Sequence, residues 1–316
     1  MDFGESSCAV IEIEVELASY ETKEVVFVLG QEKDLISCKE KSYQYTKIAN
    51  AKAELEETKK YWEELLHKIQ VETPLESANI LLNGWLMYQT VTARLWGKTG
   101  FYQSGGAIGF RDQLQDTLAC KYIKPEWMKK QLLTAAAHQF IEGDVEHWWH
   151  EETQRGIRTR FSDDRLWLVY VLGEYIRVTG DMGVLEEKVP YIQGELLNPG
   201  EDEKYDIHLP SDTQETLYEH AKRAIDISLN FGENGLPKIG TGDWNDGFST
   251  VGNKGKGESV WLGFFLYDVL SKFIPIVNQK GEYELAAEYE DIQIKLKKAL
   301  NTKRMGWKMV QTSFYG

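Results

Sequence analysis

The chain has 316 residues, of which 42% are hydrophobic and 27% are charged, and its formal net charge is -14. These proportions are typical of a globular protein with one large domain or two smaller ones. The acidic balance disfavours nucleic acid and anionic membranes as partners, because both carry negative charge, but it is compatible with a neutral sugar.

Cysteine spacing and hydropathy indicate the cellular compartment in which the protein resides. Cys8, Cys38 and Cys120 lie far apart and form neither a disulfide framework nor a metal-ligand pattern. The sequence begins without the basic and apolar regions of a signal peptide, and it has no run of about twenty apolar residues. We therefore expect a cytoplasmic protein with no membrane-spanning segment in this chain.

The first seventy residues predict strands and then a helix. Residues 7–30 alternate and are rich in Val, Ile and Glu, which predicts two strands joined by a polar turn. Two strands alone are marginally stable, so we expect them to belong to a larger sheet. Residues 40–71 lack Pro and Gly and predict one long, largely exposed helix.

From residue 75 onward the apolar pattern predicts one helix after another. The first, over 75–96, is apolar around most of its circumference, so we expect it to be buried. Further helices are predicted over 111–122, 125–141, 163–179, 181–193, 212–231, 258–277 and 281–300. Helix-start signals support several of them: Pro125, Asp163–Asp164 and Ser211–Asp212. We expect a mainly α fold in which paired helices form a toroid.

Four segments concentrate glycine, aromatic and charged residues, as functional loops do. In the first, residues 101–116, three glycines precede Arg111, Asp112 and Asp116. Carboxylates can accept hydrogen bonds from pairs of sugar hydroxyls, and arginine donates to sugar oxygens or phosphate. A helix start capped by acidic residues explains this segment equally well.

The second and third segments have structural interpretations that are slightly favoured. Residues 147–152, HWWHEE, lack the spacing of a helical zinc pair, so a Trp-rich loop over the core is preferred to a metal site. Residues 155–164 bring three arginines to a helix start, where anions bind. An ion-paired loop, with Asp163 and Asp164 neutralising two arginines, is the favoured alternative.

The fourth segment, residues 240–247, places Asp243, Trp244 and Asp246 in a tight turn framed by glycines. A carboxylic acid beside an aromatic ring and away from bulk water has a raised pKa, which a proton donor to a glycosidic oxygen needs. An Asx turn is the structural alternative. The spacing of an EF-hand calcium loop is absent.

Together, FYQSGGAIGFRDQLQD, HWWHEETQRGIRTRFSDDRLWL and GDWNDG resemble glycoside hydrolase family 94 over about residues 75–300. The motifs are most similar to the phosphorylase-like part of cyclic β-1,2-glucan synthases and to β-1,2-oligoglucan phosphorylases, and less so to cellobiose phosphorylases. The resemblance implies that residues 1–35 end a β-sandwich, 36–73 form a helical linker, and 74–316 form an incomplete (α/α)6 toroid.

The resemblance also implies a reaction. Inorganic phosphate, a co-substrate rather than a cofactor, attacks the anomeric carbon of a β-glucoside with inversion, and one carboxylic acid protonates the leaving oxygen. No metal or other cofactor is implied, and a homodimer of the full-length enzyme stays open. By motif, Asp246 matches the general acid, with Asp243 as its rival.

The same resemblance assigns residues to sugar binding. Trp244 matches the aromatic side chain beside the donor sugar, and Arg111 and Asp116 match its polar contacts. Asp112 is a further candidate, and Arg160 and Asp164 are expected to line the same cleft.

Two other functions stay open. One is an inverting glycoside hydrolase on the same scaffold, with Asp163, Asp164 or Asp243 as the base. The other is an inactive sugar-binding remnant. Phosphate dependence of sugar release separates the phosphorylase from the hydrolase, and the remnant predicts no turnover.

The end of the sequence departs from the family. Family members continue, past the helix that ends near Leu300, with a segment resembling W-D-G-x-W-Y-x-R-A. Codons for Met305–Phe314, read one base later, permit W-D-G-K-W-Y-K-R-A. We therefore expect a one-base frame change just before Met305, with the phosphate- and acceptor-binding residues encoded downstream.

Overall fold

The computed structural model describes residues 10–98, 106–304 and 313–314. The chain divides into two compact units, residues 1–65 and residues 66–316. The expected frame change before Met305 falls outside the described residues, as do residues 101–105 of the first motif. The chain is about 53% helical and carries a few strands, so it is mainly α, as predicted.

The first unit opens with extended chain rather than strands. Residues 10–34 turn at Ser19–Tyr20, where the Glu21 N–H donates to the Ala18 carbonyl at 3.0 Å, but no strand forms between residues 10 and 34. The prediction of two strands is therefore wrong over these residues, and residues 7–9 lie outside the described part. Ile11 and Ile13 are exposed. Without a buried face, a lone pair of strands gains too little to form a ladder.

Two helices follow instead of one. The helix α1, Leu35–Tyr45, begins at Asp34, whose carboxylate accepts the Ser37 N–H at 2.8 Å. It ends at Thr46, whose hydroxyl donates to the Ser42 carbonyl at 2.8 Å, and α2, Ile48–Leu66, starts anew. Leu65 is the one buried residue of the two helices, so the predicted exposure is confirmed.

The second unit begins with the helix α3, which covers residues 76–96 in contiguous α and π segments. The prediction of a helix is confirmed, but the prediction that it is buried is wrong. Val91 is buried, whereas Trp85 and Trp96 are 55% and 52% exposed. The last part, Thr90–Trp96, packs against the next helix, and the preceding turns leave apolar side chains in solvent.

Six further helices build the core, and their residues are Phe110–Thr117 (α4), Pro125–Ala136 (α5), Asp164–Thr179 (α6), Leu217–Ser228 (α7), Val260–Gln279 (α8) and Tyr283–Arg304 (α9). The central helix α6 packs against α4, α5, α7 and α8. It is buried along most of its length, and it therefore fixes the orientation of its own N-terminal residues.

Two predicted helix boundaries are wrong. Residues 181–193 form a 3-10 turn, Met182–Glu186, and then a strand, β4, Lys188–Gln193. Pro190 lacks an N–H for a helix, and the β-branched residues around it favour a strand. Ser211–Asp212 lies in a strand, and α7 begins later, where the Thr216 hydroxyl accepts the Glu219 N–H at 3.3 Å.

The helix α8 is long and apolar enough to cross a bilayer by length and composition, with a mean hydropathy of 1.6. The sequence, which has no run of about twenty apolar residues, predicted no such segment. However, 56% of this stretch is buried. The helix packs against α6 and α9, with Leu266, Leu270 and Phe273 fully buried. These contacts are those of a core helix.

Short antiparallel strands join the helices, and the predicted succession of helices missed them. One sheet has the order β1-β2-β3-β5, with β1 Ile108–Gly109, β2 Glu146–His150, β3 Arg155–Thr159 and β5 Glu203–Ile207. The other two are pairs: β4 with β6, Leu209–Thr216, and β7, Glu258–Ser259, with β8, Ser313–Phe314. The HWWH motif and the first half of the Arg-rich segment, Arg155–Thr159, are thus strands rather than loops.

Candidate functional site

The turn at residues 240–247 is held against the start of α6. Gly240 has a φ of 64°, and a Cβ there would lie 2.0 Å from the Arg160 carbonyl oxygen. A Cβ on Gly242 would lie 2.5 Å from the Phe161 ring. The Ser162 N–H donates to the Gly242 carbonyl at 3.0 Å. Glycine at both positions therefore permits the backbone contact that brings this turn to α6.

Arg111, in the first turn of α4, joins three segments that are distant in sequence. One terminal nitrogen donates to both carboxylate oxygens of Asp246, at 2.8 and 3.0 Å. The other donates to the Asp163 carboxylate and to the Asp243 carbonyl, each at 3.2 Å. The Arg111 side chain is 7% exposed, whereas that of Asp246 is 58% exposed. One buried guanidinium therefore anchors the exposed carboxylate.

Asp163 and Asp164 lie side by side beneath Arg111 and have different partners. Asp163 accepts from the Trp167 indole N–H at 3.1 Å as well as from Arg111. Burial and the charge of Asp164 raise the pKa of Asp163 to about 7, against the opposing effect of Arg111. Burial alone would raise the pKa of Asp164, but His147 and Arg111 outweigh it and lower that pKa.

His147 contacts Asp164 and is itself partly exposed on the side of the turn that carries Asp246. Its Nδ1 lies 2.7 Å from the Asp164 carboxylate. Burial would lower the pKa of His147, but the charge of Asp164 outweighs burial and raises it. Asp164 therefore holds the His147 ring in place.

Asp243 and Asp246 share one turn but not one environment. Asp243 is 1% exposed. One of its oxygens accepts the Asn245 N–H at 2.8 Å, and the other accepts the Ser259 hydroxyl at 2.5 Å. These hydrogen bonds of the Asp243 carboxylate therefore stabilise the conformation of the turn. Asp246, three residues later, is 58% exposed and paired with Arg111, so the expectation of a carboxyl away from bulk water is wrong for this residue.

A cleft of about 870 Å³ lies in front of Asp246. Its lining residues are Ala107, Gly109, Arg111, Asp112, Gln115, His147, Trp148, His150, Trp244, Asn245, Asp246, Gly247 and Phe248. Trp244 is 50% exposed. Flat rings beside a few fixed polar groups are typical of ligand clefts.

Four of the candidate residues line this cleft: Arg111, Asp112, Trp244 and Asp246. Asp164 does not line the cleft. It contacts His147, which does line it.

Asp116 is placed away from the cleft. Its carboxylate pairs with Arg94 of α3 at 2.9 Å. A helix turns by about 100° per residue, so Arg111 and Gln115 share a face of α4 while Asp116 lies further around it. The expectation that Asp116 contacts the same ligand as Arg111 is not supported by this placement.

Arg160 is also placed elsewhere. Its guanidinium donates to the Glu201 and Asn198 carbonyls at 2.7 and 2.8 Å. It lines a separate cavity of about 400 Å³, together with Arg158 and Arg165. The expectation that it lines the cleft of Asp246 is wrong, because these carbonyls hold it on the other side of the turn.

Sequence reasoning gave no role to nine of the thirteen cleft residues; those with polar or aromatic side chains are Gln115, His147, Trp148, His150, Asn245 and Phe248. The four-residue step from Arg111 could have indicated Gln115. The HWWH motif was noticed, but its residues were assigned to a loop over the core.

The strand β2 that carries HWWH is anchored at its start. The Glu146 carboxylate lies 2.5 Å from Nδ1 of both His138 and His208. Burial would raise the pKa of Glu146, but hydrogen bonds from these two histidines outweigh it and lower that pKa. This buried carboxylate fixes β2 to two neighbouring segments.

The acidic end of the motif HWWHEE has an ion-pair partner. Glu151 pairs with Lys98 at 2.8 Å. Among the residues that the structure describes, no three His, Cys, Asp or Glu side chains are grouped to hold a metal ion.

Residues 61–312 match the model of the glycosyl hydrolase 94 superfamily, catalytic domain. The cyclic beta-(1,2)-glucan synthase NdvB of Rhizobium meliloti is 38% identical over 97% of this chain and 11% of that protein. The N,N'-diacetylchitobiose phosphorylase of Vibrio proteolyticus is 26% identical, over 82% of this chain and 33% of that protein. The 1,2-beta-oligoglucan phosphorylase of Listeria innocua is 26% identical, over 58% of this chain and 17% of that protein. The chain thus spans from about a tenth to a third of these relatives.

Proposed function

Because the chain belongs to the glycosyl hydrolase 94 superfamily, we propose that its cleft is the donor-sugar side of an inverting glycoside phosphorylase site. The observation that carries the proposal is the position of Asp246. Its carboxylate is exposed in the cleft, is held by a buried arginine and lies in the same turn as Trp244.

In the proposed reaction, an oxygen of inorganic phosphate bonds to the anomeric carbon of a β-glucoside as the bond to the leaving sugar breaks. Asp246 gives its proton to the leaving oxygen and becomes a carboxylate. Arg111, already in contact with both oxygens of Asp246, stabilises that charge. General acid catalysis of this kind contributes about 10²–10⁴-fold to the rate.

The remaining cleft residues are assigned to holding the donor sugar. Trp244 offers a half-exposed ring to the C–H face of the sugar. Asp112 and Gln115 are positioned to contact its hydroxyls. Asp116 and Arg160 have no direct contact with the sugar in this proposal.

Asp246 is preferred to Asp243 as the acid because of exposure. Asp243 is 1% exposed and does not line the cleft, whereas Asp246 does. Asp163 and Asp164, at 0% and 1%, are equally poor candidates for a base that activates water. This burial favours phosphate over water as the nucleophile.

The proposal extends to the complete protein. Its substrates are β-glucosides such as β-1,2-glucans or cellobiose-like disaccharides, since relatives include a glucan synthase and an oligoglucan phosphorylase. Phosphate is the co-substrate and no cofactor takes part. We propose that the helices of the second unit belong to an (α/α)6 toroid in a cytoplasmic enzyme, and a homodimer of the full-length enzyme stays open.

Phosphate dependence tests the proposal. The complete protein is incubated with β-1,2-linked glucose oligosaccharides or cellobiose, with and without phosphate, and products are followed by ¹H and ³¹P nuclear magnetic resonance. We expect an α-sugar 1-phosphate only when phosphate is present. Sugar release at the same rate without phosphate would assign a hydrolase, and binding without turnover would assign a sugar-binding remnant.

A further inference from the structure

The outer face of the four-stranded sheet lies next to the cleft. Trp148 on β2 is paired with Ile157 on β3, and Ile157 is paired with Tyr205 on β5. Paired residues of antiparallel strands point to the same face, and so do residues two apart on one strand. The row two residues further along contains His150, Arg155 and Ile207.

We call Trp148, His150, Arg155, Tyr205 and Ile207 the aromatic face. The rings of Trp148 and Tyr205 lie 5.5 Å apart. The Tyr205 hydroxyl lies 3.3 Å from the His150 Nδ1, and the Arg155 guanidinium lies 6.0 Å from the Tyr205 ring. These side chains therefore form one connected surface.

The aromatic face is exposed and continuous with the cleft. Tyr205 and Ile207 are 45% and 47% exposed, on an edge strand. Trp148 and His150 also line the cleft of Asp246. A ligand that leaves the cleft at Trp148 would therefore pass onto Tyr205.

We propose that the aromatic face binds further sugar units of an oligosaccharide whose reacting bond lies at Asp246. The proposal rests on the function proposed above and specifies its substrate as longer than a disaccharide. A pyranose ring presents C–H atoms on its flat side, which pack on Trp and Tyr rings. Its hydroxyls project from the edge, where His150 and Arg155 supply polar partners.

Size and composition favour a sugar over a protein partner. Each partner in a stable protein complex buries roughly 800 Å², and five partly exposed side chains offer less than that. The mixture of rings with His and Arg matches an amphipathic ligand better than a purely apolar surface.

Chain-length dependence of binding tests this inference. The purified 316-residue chain is titrated by calorimetry with β-1,2-linked glucose oligosaccharides, from the disaccharide to the hexasaccharide. We expect affinity to rise with length. Tyr205→Ala should weaken hexasaccharide binding about 3- to 10-fold, the usual contribution of one aromatic contact, and leave disaccharide binding unchanged.

Two variants control for the side chain. Tyr205→Phe keeps the ring and should keep the length dependence. Tyr122→Ala removes a tyrosine that is 58% exposed outside the sheet, and it should change nothing. Equal losses in Tyr122→Ala and Tyr205→Ala would overturn the inference, as would a Tyr205→Ala chain with unchanged hexasaccharide affinity.

The outcomes separate this inference from the proposed function. Length-dependent binding that Tyr205→Ala abolishes, without phosphate-dependent turnover, supports the aromatic face and removes the phosphorylase. Phosphate-dependent turnover with equal affinity for all lengths removes the aromatic face alone. Self-association that Tyr205→Ala abolishes, with unchanged glucan affinity, would assign the face to a second copy of the chain.

Discussion

Two groups of residues meet at Arg111. The floor consists of Asp163 and Asp243, which are 0% and 1% exposed and contact the cleft-lining Arg111 from behind. The mouth consists of Trp244, 50% exposed, and Asp246, whose side chain is 58% exposed. Arg111 touches both regions. The floor carboxylates accept hydrogen bonds from other protein groups, so they fix geometry. The mouth carries side chains that can meet a ligand. Burial, rather than residue type, thus divides structural from chemical roles here.

Replacing Arg111, the cation that pairs with the buried Asp163, should have the largest effect on the free energy of unfolding. Arg111→Met leaves the Asp163 carboxylate buried without its cationic partner. Breaking a buried ion pair in this way costs about 3–5 kcal/mol. Urea unfolding at neutral pH measures the loss, and a variant within about 1 kcal/mol of wild type would contradict the role given to Arg111.

The same variant should respond to pH. The pKa of Asp163 is raised from 3.8 to about 7, so the folded state keeps a proton that the unfolded chain releases. The stability from this proton is present at low pH and is lost as pH rises through about 7. Without Arg111 the pKa of Asp163 should rise further. The loss of stability should therefore be smaller at pH 5 than at pH 8, and equal losses at both pH values would count against this account.

Replacing each aspartate of the turn by asparagine should show that the floor residue Asp243 contributes more to stability than the mouth residue Asp246. Asp243→Asn disturbs the bonds to Ser259 and Asn245, which should cost about 2 kcal/mol. Asp246→Asn changes an exposed group and should stay within about 0.5 kcal/mol. Parallel urea titrations of both variants decide the matter. If Asp246→Asn is the more damaging of the two, the division into floor and mouth is wrong.

A buried carboxylate remote from the cleft provides a contrast. Glu174 pairs with Lys121, Lys272 and Arg177. The Arg177 hydrogen bond in particular lowers the pKa of Glu174 to about 2. Its stabilisation is present above about pH 4.5 and is lost as pH falls towards 2.

Glu174→Gln should therefore cost about 2 kcal/mol at neutral pH and much less near pH 3. Sugar binding should not change, because Glu174 does not line the cleft. Urea unfolding at both pH values and calorimetry at neutral pH provide the readouts. Weaker sugar binding in this variant would show that the cleft depends on ionic networks beyond its floor.

The mouth should contribute to binding rather than to folding. Trp244→Ala removes a half-exposed ring, so unfolding should shift little, while sugar affinity should fall by about 1 kcal/mol. Calorimetric titration with a disaccharide measures the fall. Trp261→Ala, a neighbouring ring 6.4 Å away that does not line the cleft, is the matched comparison. A larger affinity loss in Trp261→Ala would contradict the assignment.

The sequence predicted which motifs meet better than it predicted how each side chain points. Arg111, Asp112, Trp244 and Asp246 carry local signals, because glycines and charged residues cluster around them. Their convergence in one cleft is observed. Asp116 lies outside the cleft because it pairs with Arg94, and no local sequence signal indicates that partner.

Secondary structure was also predicted best where the sequence signal is local. The long apolar helices α6 and α8 have strong periodic signals and were predicted near their observed positions. The short strands β1, β2 and β3 have two to five residues, too few for a periodic signal, and their pairing depends on distant partners. The aromatic face could not be predicted for that reason: it depends on the register between β2, β3 and β5.

The most direct measurement of the central claim compares leaving groups in Asp246→Asn. With phosphate present, the variant should lose about 10²–10⁴-fold in turnover of an unactivated β-linked disaccharide, because the leaving oxygen then needs a proton. It should lose little with a nitrophenyl β-glucoside, whose leaving group departs without protonation, and disaccharide binding should persist. Wild-type turnover of the disaccharide by Asp246→Asn, together with a loss in Asp243→Asn, would contradict the account and move the acid to Asp243.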